Sequence, residues 1–352
     1  METVEIGSSG RRTTRLGFGC SSVMGSQGRS QSLRMLESAF EAGIRHFDVA
    51  PLYGYGEAEG CVGEFLKRHP EATVTTKFGL EPPMQGALKS IARSLLRPVV
   101  NALPGVKQKL AGAAGRAASK QAAPSNPTPN VRPSRADAYT AEKAHASLER
   151  SLKALQRDHI DLWLMHEVAA SDLPLEGSAA SEALLHVLEN AVSSGKVGRF
   201  GVGSEREMIP ALIAGHPAFC RTQQYEWSVL DPVPEPSTAF RIHHRALTDK
   251  FSSLREALAA RPRTADRWAT EVGADIGSAA VLAQLMMKAA LVSNPASVIL
   301  FSSKNPHHIA ANARLVDDPT LEEAARRFYA LVQAEGGPLF GRAAALSEAG
   351  GV

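Results

Sequence analysis

The regular alternation of strand-like and helix-like segments is the feature that most constrains this chain. Parallel strands need long crossover connections, usually helices, so this alternation predicts a parallel sheet covered by helices. The fold class is therefore α/β, and eight such units favour closure of the sheet into a (β/α)8 TIM barrel. Residues 3–14 are predicted to form an N-terminal β-hairpin. The predicted barrel strands are RLGFGCS (15–21), IRHFDV (44–49), ATVTTKF (72–78), IDLWLMH (160–166), GRFGVGS (198–204), RTQQYEW (221–227), FRIHHRAL (240–247) and SVILFSS (297–303).

An open, doubly wound sheet is the alternative architecture. It is disfavoured because the segment GFGCSS has two glycines and lacks the third glycine of a dinucleotide-binding fingerprint. The 352 residues, 44% of them hydrophobic, can bury one large core. We therefore expect a single barrel domain over residues 1–352, with an insertion at about 81–138 and a C-terminal helical tail at about 319–352.

Several helix boundaries carry local signals. Ser30 or Ser32 is a candidate N-cap for the first helix, and Gly43 and Gly195 are placed to end two helices. In FSSKNPHHIAAN, Asn305 is a candidate N-cap. The proline that follows it suits the first helical position.

Composition narrows the range of partners and compartments. The formal net charge of +3 is nearly balanced, so we expect neither nucleic acid nor a membrane as a partner. Three cysteines, widely spaced and odd in number, favour a reducing compartment. The N-terminus lacks the apolar core of a signal peptide, and no stretch approaches about 18 uninterrupted apolar residues. We expect a cytoplasmic protein.

One segment breaks the alternation. Residues 81–138 carry nine lysines and arginines against Glu81 and Asp137, which gives a local charge of +7. The first half, GALKSIARSLLRPVVNAL, is predicted to be a basic amphipathic helix, and the second half is rich in Ala, Gly, Pro and Ser. A solvated insertion is the preferred interpretation, and a docking element for a partner or an anionic surface is the alternative.

Four residues of complementary chemistry fall at the carboxyl ends of predicted strands. Active sites of such barrels collect at this end. Asp48 ends the second strand and Tyr53 follows it in a Pro/Gly-bounded loop. Lys77 ends the third strand, in VTTKFG, and His166 ends the fourth, in LWLMHE.

The four residues form a coherent set for carbonyl chemistry. A free tyrosine has a pKa of about 10, and a neighbouring ammonium lowers it. Lys77 can act on Tyr53 in this way, with Asp48 as the counter-charge that holds the lysine. His166 can hydrogen-bond a substrate carbonyl oxygen. Since no metal cluster is apparent, we expect no metal, and a nicotinamide cofactor is the natural source of hydride.

The motifs around these residues resemble those of the aldo-keto reductase family. FDVAPLYG is similar to the family signature Phe-Asp-Thr-Ala-x-x-Tyr-Gly, and GEAEGCVGEFL, VTTKFG, IDLWLMHE and ENAVSSGKVGRFGVGS are similar to later blocks. The resemblance covers about residues 13–318, interrupted by the insertion. It implies an NADPH- or NADH-dependent barrel enzyme that interconverts carbonyls and alcohols. Asp48, Tyr53, Lys77 and His166 would be its catalytic tetrad, with Tyr53 as general acid/base.

The resemblance also implies a cofactor-phosphate site after the eighth strand. Lys304 matches the basic position of the family motif and Asn312 its asparagine, whereas Ser302 replaces a glycine and His308 an arginine. The lysine favours NADP(H), and dual use with NAD(H) is the alternative. The start of the helix that follows favours phosphate through its free N–H groups and dipole.

Further cofactor positions follow from the same resemblance. Gln224 matches the residue that binds the nicotinamide carboxamide, Ser204 falls where many members have asparagine, and His244 falls where many have a stacking tyrosine. Arg245 would reach the pyrophosphate. Gly19 and Cys20 would line the nicotinamide end, and Asp48 is counted among the cofactor positions as well.

The expected function is NADP(H)-dependent interconversion of an aldehyde or ketone and its alcohol, or of a sugar hemiacetal and its lactone. One alternative is a nicotinamide-binding regulatory subunit that docks through the basic insertion. Another is an unrelated barrel lyase or epimerase that forms a Schiff base on Lys77. The segments HHRAL and SSKNP resemble those of bacterial family members that act on sugars, including aldose 1-dehydrogenases.

Overall fold

The computed structural model describes residues 1–7, 9–25, 27–81 and 135–339, with the side chains of 337–339 left out. Eight parallel strands close into a barrel, and a separate antiparallel pair of strands forms the N-terminal hairpin. This is the predicted (β/α)8 architecture, and all eight predicted barrel strands are present. The open-sheet alternative is excluded, because the last barrel strand pairs with the first.

The strands begin and end within a few residues of their predicted limits. The hairpin consists of β1 (Thr3–Glu5) and β2 (Arg12–Thr14). The barrel strands are β3 (Leu16–Gly19), β4 (His46–Asp48), β5 (Thr73–Phe78), β6 (Ile160–His166), β7 (Val197–Gly203), β8 (Thr222–Glu226), β9 (Phe240–His244) and β10 (Ser297–Phe301).

Helices cover the outside of the barrel. In the described parts of the chain they are α1 (Arg29–Glu41), α2 (Ala58–Arg68), α3 (Ala141–Leu155), α4 (Ala179–Ser193), α5 (Ile209–Gly215), α6 (Thr248–Ala259), α7 (Pro262–Val272), α8 (Ala279–Ser293), α9 (Pro306–Asp317) and α10 (Glu322–Leu339). The 227–239 connection between β8 and β9 is fully described and contains no helix. By contrast, α6, α7 and α8 all lie between β9 and β10.

The barrel interior is filled by every second residue of each strand. Leu162 and Leu164 of β6 meet Val298 and Leu300 of β10 in one apolar cluster, which Ile6 of the hairpin joins. A Cβ on Gly17 would lie 2.6 Å from Leu300, so glycine lets the strands approach there. The hairpin thus supplies an apolar side chain to the core at the amino-terminal end of the barrel.

The barrel interior is polar where side chains of β4 and β5 face it. The imidazole of His46 lies 3.2 Å from the Thr73 hydroxyl through Nδ1 and 3.1 Å from the Thr75 hydroxyl through Nε2. Burial lowers the pKa of His46 to about 4, so the ring is neutral at pH 7. Because both of its nitrogens have partners, this buried polar side chain is tolerated in the core.

A second core lies outside the barrel, between α6, α7 and α8 on one side and the C-terminal helix α10 on the other. Trp268 of α7 packs edge to face against Phe328 of α10, with ring centroids 6.4 Å apart. Tyr329 and Gln333 of α10 donate hydrogen bonds to backbone carbonyls of the β8–β9 connection. The C-terminal helix therefore holds the β8–β9 connection, which has no helix of its own.

The predicted N-cap of the first helix is wrong. Helix α1 begins at Arg29 with Gly28 as N-cap, and no side chain caps it. Ser32 lies inside the helix, where its buried hydroxyl accepts a hydrogen bond from the Met24 backbone N–H at 3.0 Å. The preceding loop therefore uses the hydroxyl that the local pattern assigned to a cap.

The other boundary signals are confirmed. Gly43 and Gly195 adopt positive φ values of 95° and 76° immediately after α1 and α4 end. The Asn305 side chain accepts from the His307 N–H at 2.9 Å, and Pro306 occupies the first turn of α9.

Most of the predicted insertion lies outside the described residues, including its predicted amphipathic helix. Its ends are Glu81, whose carboxylate pairs with Arg150, and residues 135–138, which precede α3. The interpretation of 1–352 as one domain stays a prediction. No helix in the described parts of the chain is both long enough and apolar enough to cross a bilayer.

Two glycines in α2 give a matched test of this packing. A Cβ on Gly63 would lie 2.4 Å from the Ala154 carbonyl oxygen of α3, whereas a Cβ on Gly60 would meet nothing within 4 Å. Gly63→Ala should lower the free energy of unfolding by roughly 2 kcal/mol, because backbone cannot move aside easily. Gly60→Ala should raise it by roughly 0.5–1 kcal/mol, because alanine favours helix. Urea unfolding measures both, and equal effects would contradict the close α2–α3 contact.

Candidate active site

A cavity of about 560 Å³ opens at the carboxyl ends of the barrel strands. Asp48, Tyr53, Lys77 and His166, the four predicted catalytic residues, all line it. Strand periodicity explains the convergence. The four predicted residues on strand ends or near them include His166, which follows the interior residues Leu162 and Leu164 at a spacing of two.

Lys77 and Asp48 form a buried ion pair at the base of the cavity. The Lys77 Nζ lies 2.6 Å from Asp48 Oδ1 and donates a second hydrogen bond to the Val49 carbonyl at 3.1 Å. Their side chains are 3% and 4% exposed. Burial alone would lower the pKa of Lys77, but the charge of Asp48 and the interaction with Tyr53 outweigh it and raise that pKa. The lysine is therefore an ammonium at neutral pH.

Gln224 holds the other oxygen of the same carboxylate. Its Nε2 donates to Asp48 Oδ2 at 2.7 Å, and the glutamine side chain is 3% exposed. The sequence predicts a cofactor role for Gln224 but not this contact. The periodicity of β8, which places Thr222 and Gln224 on one face, could have indicated it. Gln224 still has its carbonyl oxygen and one N–H to offer to a ligand.

Tyr53 faces the ammonium from a short turn after β4. The Lys77 Nζ lies 5.2 Å from the centroid of the tyrosine ring. Gly54 and Tyr55, which follow, both have positive φ values, of 57° and 60°. A Cβ on Gly54 would lie 2.5 Å from the Val23 carbonyl oxygen, so glycine is required at this close approach.

The pKa of Tyr53 differs from the sequence expectation. Burial raises it above the ordinary value, and the opposing effect of Lys77, although in the predicted direction, is smaller. The phenol therefore carries its proton at neutral pH in this cavity. A protonated phenol beside an ammonium is a proton donor whose phenolate form would be stabilised once the proton has left.

His166 presents a neutral imidazole. Burial, followed by the charges of Lys77 and Arg135, lowers the pKa of His166 to about 3. Its Nδ1 is buried and has no hydrogen-bond partner among the described residues. An unpaired buried acceptor is tolerated better than an unpaired buried N–H, so the tautomer with the proton on Nε2 is favoured. The ring stands edge to face with Tyr53, with centroids 5.8 Å apart.

Most of the predicted cofactor residues also lie at this cavity. They are Gly19, Asp48, Ser204, Gln224, His244, Arg245, Ser302 and Asn312. The Ser204 hydroxyl donates to the Val168 carbonyl at 2.5 Å, so it can offer a ligand only an acceptor in this arrangement. Arg245, with a positive φ of 60°, lies 3.0 Å from Asp249 and 3.6 Å from Glu226. Burial lowers the pKa of His244 to about 4, so it too is neutral.

Three predicted cofactor residues do not line the cavity. Cys20 is wholly buried beneath it, with Sγ 3.6 Å from the Phe18 carbonyl. Lys304, just before α9, and His308, in its first turn, lie outside the lining and have exposed side chains. Asn312, one turn further along the same helix than His308, does reach the cavity. A ligand would have to extend beyond the cavity to meet Lys304, which is two residues after the lining residue Ser302.

An acidic wall was missed by the sequence analysis. Glu167, Glu205 and Glu226 line the cavity, whereas Lys77 and Arg245 are the cations among the described lining residues. Each glutamate lies at or just beyond the end of a barrel strand, and that position was the available signal. An adjoining hollow of about 310 Å³ adds Glu207, Asp231 and Asp249 to this side. No group of three metal-ligating side chains occurs in the described ranges.

Comparison with known proteins gives a consistent picture. The model of the Aldo/keto reductase family matches residues 15–211, more than half of the chain. D-threo-aldose 1-dehydrogenase from a Pseudomonas species is 29% identical over 210 residues, which are 54% of this chain and 49% of that protein. Pyridoxal 4-dehydrogenase from Microbacterium luteolum is 38% identical over 78 residues, 21% of this chain and 23% of that protein. The chain thus spans half or less of the length of these two curated relatives.

A solved structure agrees over a greater length. The aldo-keto reductase from Klebsiella pneumoniae in complex with NADPH superposes with a TM-score of 0.58 at 17% identity, covering 100% of this chain and 99% of that one. At this identity the likeness establishes the fold.

The buried neutral histidines make a prediction about acid stability. The pKa of His46 and of His244 is lowered to about 4, and that of His166 and of His243 to about 3. A group with a lowered pKa in the folded state stabilises the fold above its unfolded pKa, about 6.5 for histidine, and that stability is lost as pH falls towards the folded value. Each histidine should therefore contribute roughly 1 kcal/mol per pH unit to the fall in stability from about pH 6 to pH 4.

His243 allows this effect to be isolated. It packs against Tyr225 on the outside of the barrel, and both ring nitrogens lack partners among the described residues. His243→Leu should remove one histidine's share of the slope, as measured by urea unfolding at pH 7, 6 and 5. Parallel stability curves for variant and wild type would contradict the assignment.

Proposed function

The chain belongs to the aldo/keto reductase family, and we propose that it is an NADP(H)-dependent oxidoreductase. The reaction interconverts an aldehyde or ketone and its alcohol, or a sugar hemiacetal and its lactone, with Tyr53 as general acid/base. The observation that carries the proposal is the buried Lys77–Asp48 pair beside Tyr53, in the same cavity as the neutral His166.

In the reductive direction, Tyr53 donates its proton to the substrate oxygen as negative charge develops there. Lys77, held as an ammonium by Asp48, stabilises the phenolate that remains. His166 donates a hydrogen bond from Nε2 to the same substrate oxygen and orients the carbonyl towards the phenol. A nicotinamide held beside Gln224 would supply hydride chemistry at the carbonyl carbon, and the proton from Tyr53 would complete the alcohol.

The residues of the cavity fit a nicotinamide cofactor. A volume of about 560 Å³ is in the range of small-molecule sites. The side-chain amide of Gln224 can pair with a carboxamide, and Gly19 lines the cavity without a side chain, so a ligand can approach its backbone. The Asn305-capped start of α9 and the exposed Lys304 favour a phosphate beyond the cavity. The NADPH complex of the Klebsiella pneumoniae protein supports NADP(H).

The charges of the cavity indicate the kind of substrate. The carboxylates of Glu167, Glu205 and Glu226 suit hydroxyl groups, which can donate hydrogen bonds to them. Arg135 and Arg245 pair with Glu167 and Glu226 and offset part of this negative charge. Two relatives are named for an aldose and for pyridoxal. We therefore place neutral, hydroxylated carbonyl compounds and aldoses first among candidate substrates.

The Schiff-base alternative is disfavoured by the state of Lys77. A nucleophilic lysine must be deprotonated, whereas the pKa of Lys77 is raised by its contact with Asp48. The regulatory-subunit alternative predicts cofactor binding without turnover. A screen of aldehydes, ketones and aldoses with both cofactors distinguishes it from the proposed enzyme.

Tyr53→Phe tests the proton donor. Loss of general acid catalysis should lower kcat by about 10³-fold with NADPH affinity nearly unchanged, because the ring and cavity remain. Tyr55→Phe is the matched control. Tyr55 lies in the same turn but is 55% exposed and does not line the cavity, so this variant should keep wild-type kcat. Near-normal turnover of Tyr53→Phe in steady-state assays would exclude Tyr53 as the donor.

Lys304→Ala tests the cofactor preference. Removing a charge-assisted contact to a 2′-phosphate should weaken NADPH binding about tenfold and NADH binding less than twofold. Lys196→Ala is the control, because Lys196 pairs with Glu149 next to the start of β7, at the opposite end of the barrel. Fluorescence titration measures both cofactors. Equal weakening of NADPH and NADH would argue against a phosphate contact at Lys304.

A further inference from the structure

The position of the His166 imidazole is set by its backbone. No side chain among the described residues bonds its buried Nδ1, and Nε2 is the nitrogen left to meet the substrate. The Tyr53 ring touches it edge-on, which limits rotation without defining a direction as a hydrogen bond would. Whatever fixes the His166 main chain therefore fixes the hydrogen-bond donor of the site.

That main chain is strained at the next residue. Glu167 has a positive φ of 55°, a left-handed conformation that residues other than glycine rarely adopt. After this residue the Val168 N–H bonds to the Gly203 carbonyl at 3.0 Å. The peptide between His166 and Glu167 is thus held in an unfavourable turn, which persists only where surrounding contacts impose it.

Tyr139 supplies such a contact. Its hydroxyl donates to the His166 carbonyl oxygen at 2.6 Å, and the whole residue is buried, with no exposed surface. The ring lies against Phe78, with centroids 6.1 Å apart. Gly79, with a φ of 103°, makes room for it, because a Cβ there would lie 2.3 Å from the ring. The hydroxyl therefore meets the carbonyl of the strained peptide from a rigid, closely packed position.

The same segment holds the far end of the loop. Asp172 accepts from the Arg135 N–H at 2.7 Å through one carboxylate oxygen and from the Ala169 N–H at 2.9 Å through the other. Residues 135–139 thus contact the 166–172 loop at both ends before entering α3. The Tyr139–His166 and Arg135–Asp172 hydrogen bonds hold the loop, and His166 with it, in position relative to β5.

We propose that Tyr139 is a positioning residue for carbonyl binding by His166. It acts through the peptide that links His166 to Glu167, and touches neither substrate nor cofactor. The inference rests on the proposed function only in the role it gives to His166. Its substance is that the hydroxyl of a wholly buried tyrosine, outside the cavity, aims the donor inside it.

Tyr139→Phe removes this hydroxyl and leaves the ring. A displaced donor should lower kcat about tenfold while the Kd for NADPH stays within twofold of wild type, because orientation of the carbonyl is lost and the cofactor contacts are not. Tyr329→Phe is the matched control. It deletes the same kind of bond, from a tyrosine hydroxyl to the Asp231 backbone carbonyl at 2.8 Å, and should leave kcat within twofold.

Coupling separates positioning from general stability. In a His166→Ala background, Tyr139→Phe should change kcat by less than twofold, since the group it positions is gone. An equal loss in both backgrounds, or no loss in either, overturns the proposal. If Tyr139→Phe does not fold, Asp172→Asn loosens the other end of the same loop and should show the same coupled loss; an uncoupled loss again overturns it.

A readout without turnover distinguishes this proposal from the proposed function. The imidazole ¹H–¹⁵N signal of His166, assigned by its disappearance in His166→Ala, should shift in Tyr139→Phe and stay in place in Tyr329→Phe. If the wild type reduces no carbonyl, the proposed function fails and this shift alone decides the positioning role. A signal unmoved by Tyr139→Phe rejects the role whatever the activity.

Discussion

A lysine ammonium buried at the mouth of a barrel is stable only with its counter-charge in place, and the site depends on this pairing. Taking one charge out of water costs several kcal/mol, which a close, well-hydrogen-bonded partner can offset. Here Asp48 accepts from Lys77 on one oxygen and from Gln224 on the other. The carboxylate therefore joins β4 to β5 and to β8 across the barrel, and the same contacts keep the lysine charged beside Tyr53.

The barrel makes that arrangement possible because its strands bring distant residues to one end. Asp48 and Gln224 are 176 positions apart in the chain, yet their side chains meet at 2.7 Å. The interior residues below them are apolar on β6, β9 and β10 and polar on β4 and β5. The hairpin side chain Ile6 adds to this core from the amino-terminal end, so the cavity opens only where the strands end.

Local signals predicted most of the architecture. The eight barrel strands and the glycine helix ends follow from periodicity and from the backbone freedom of glycine, both of which act over a few neighbouring residues. Ser32 shows the limit of such reasoning, because its hydroxyl bonds to Met24 in the preceding loop. A serine near a helix start has a capping pattern whether or not another backbone group claims its hydroxyl.

The candidate site divides in the same way. The sequence predicted which types of residue occupy the centre of the site and that they lie at or near strand ends. The proposed chemistry of Asp48, Tyr53, Lys77 and His166 follows from those residue types. The sequence did not predict that burial would outweigh Lys77 in its effect on the pKa of Tyr53, because burial depends on how the whole cavity closes around the phenol. The acidic wall was not readable either, since three glutamates at or just beyond the ends of three strands become one surface only after the strands are arranged in order.

The sequence by itself determined the repeating strand–helix units and the set of side chains at their ends, because hydrophobic periodicity and residue chemistry are local properties. Only the tertiary structure decided which of those side chains meet and which are buried away from water. It also decided that the Tyr139 hydroxyl bonds to the backbone carbonyl of His166. Those outcomes depend on distances between residues far apart in the chain, and closing the barrel sets such distances.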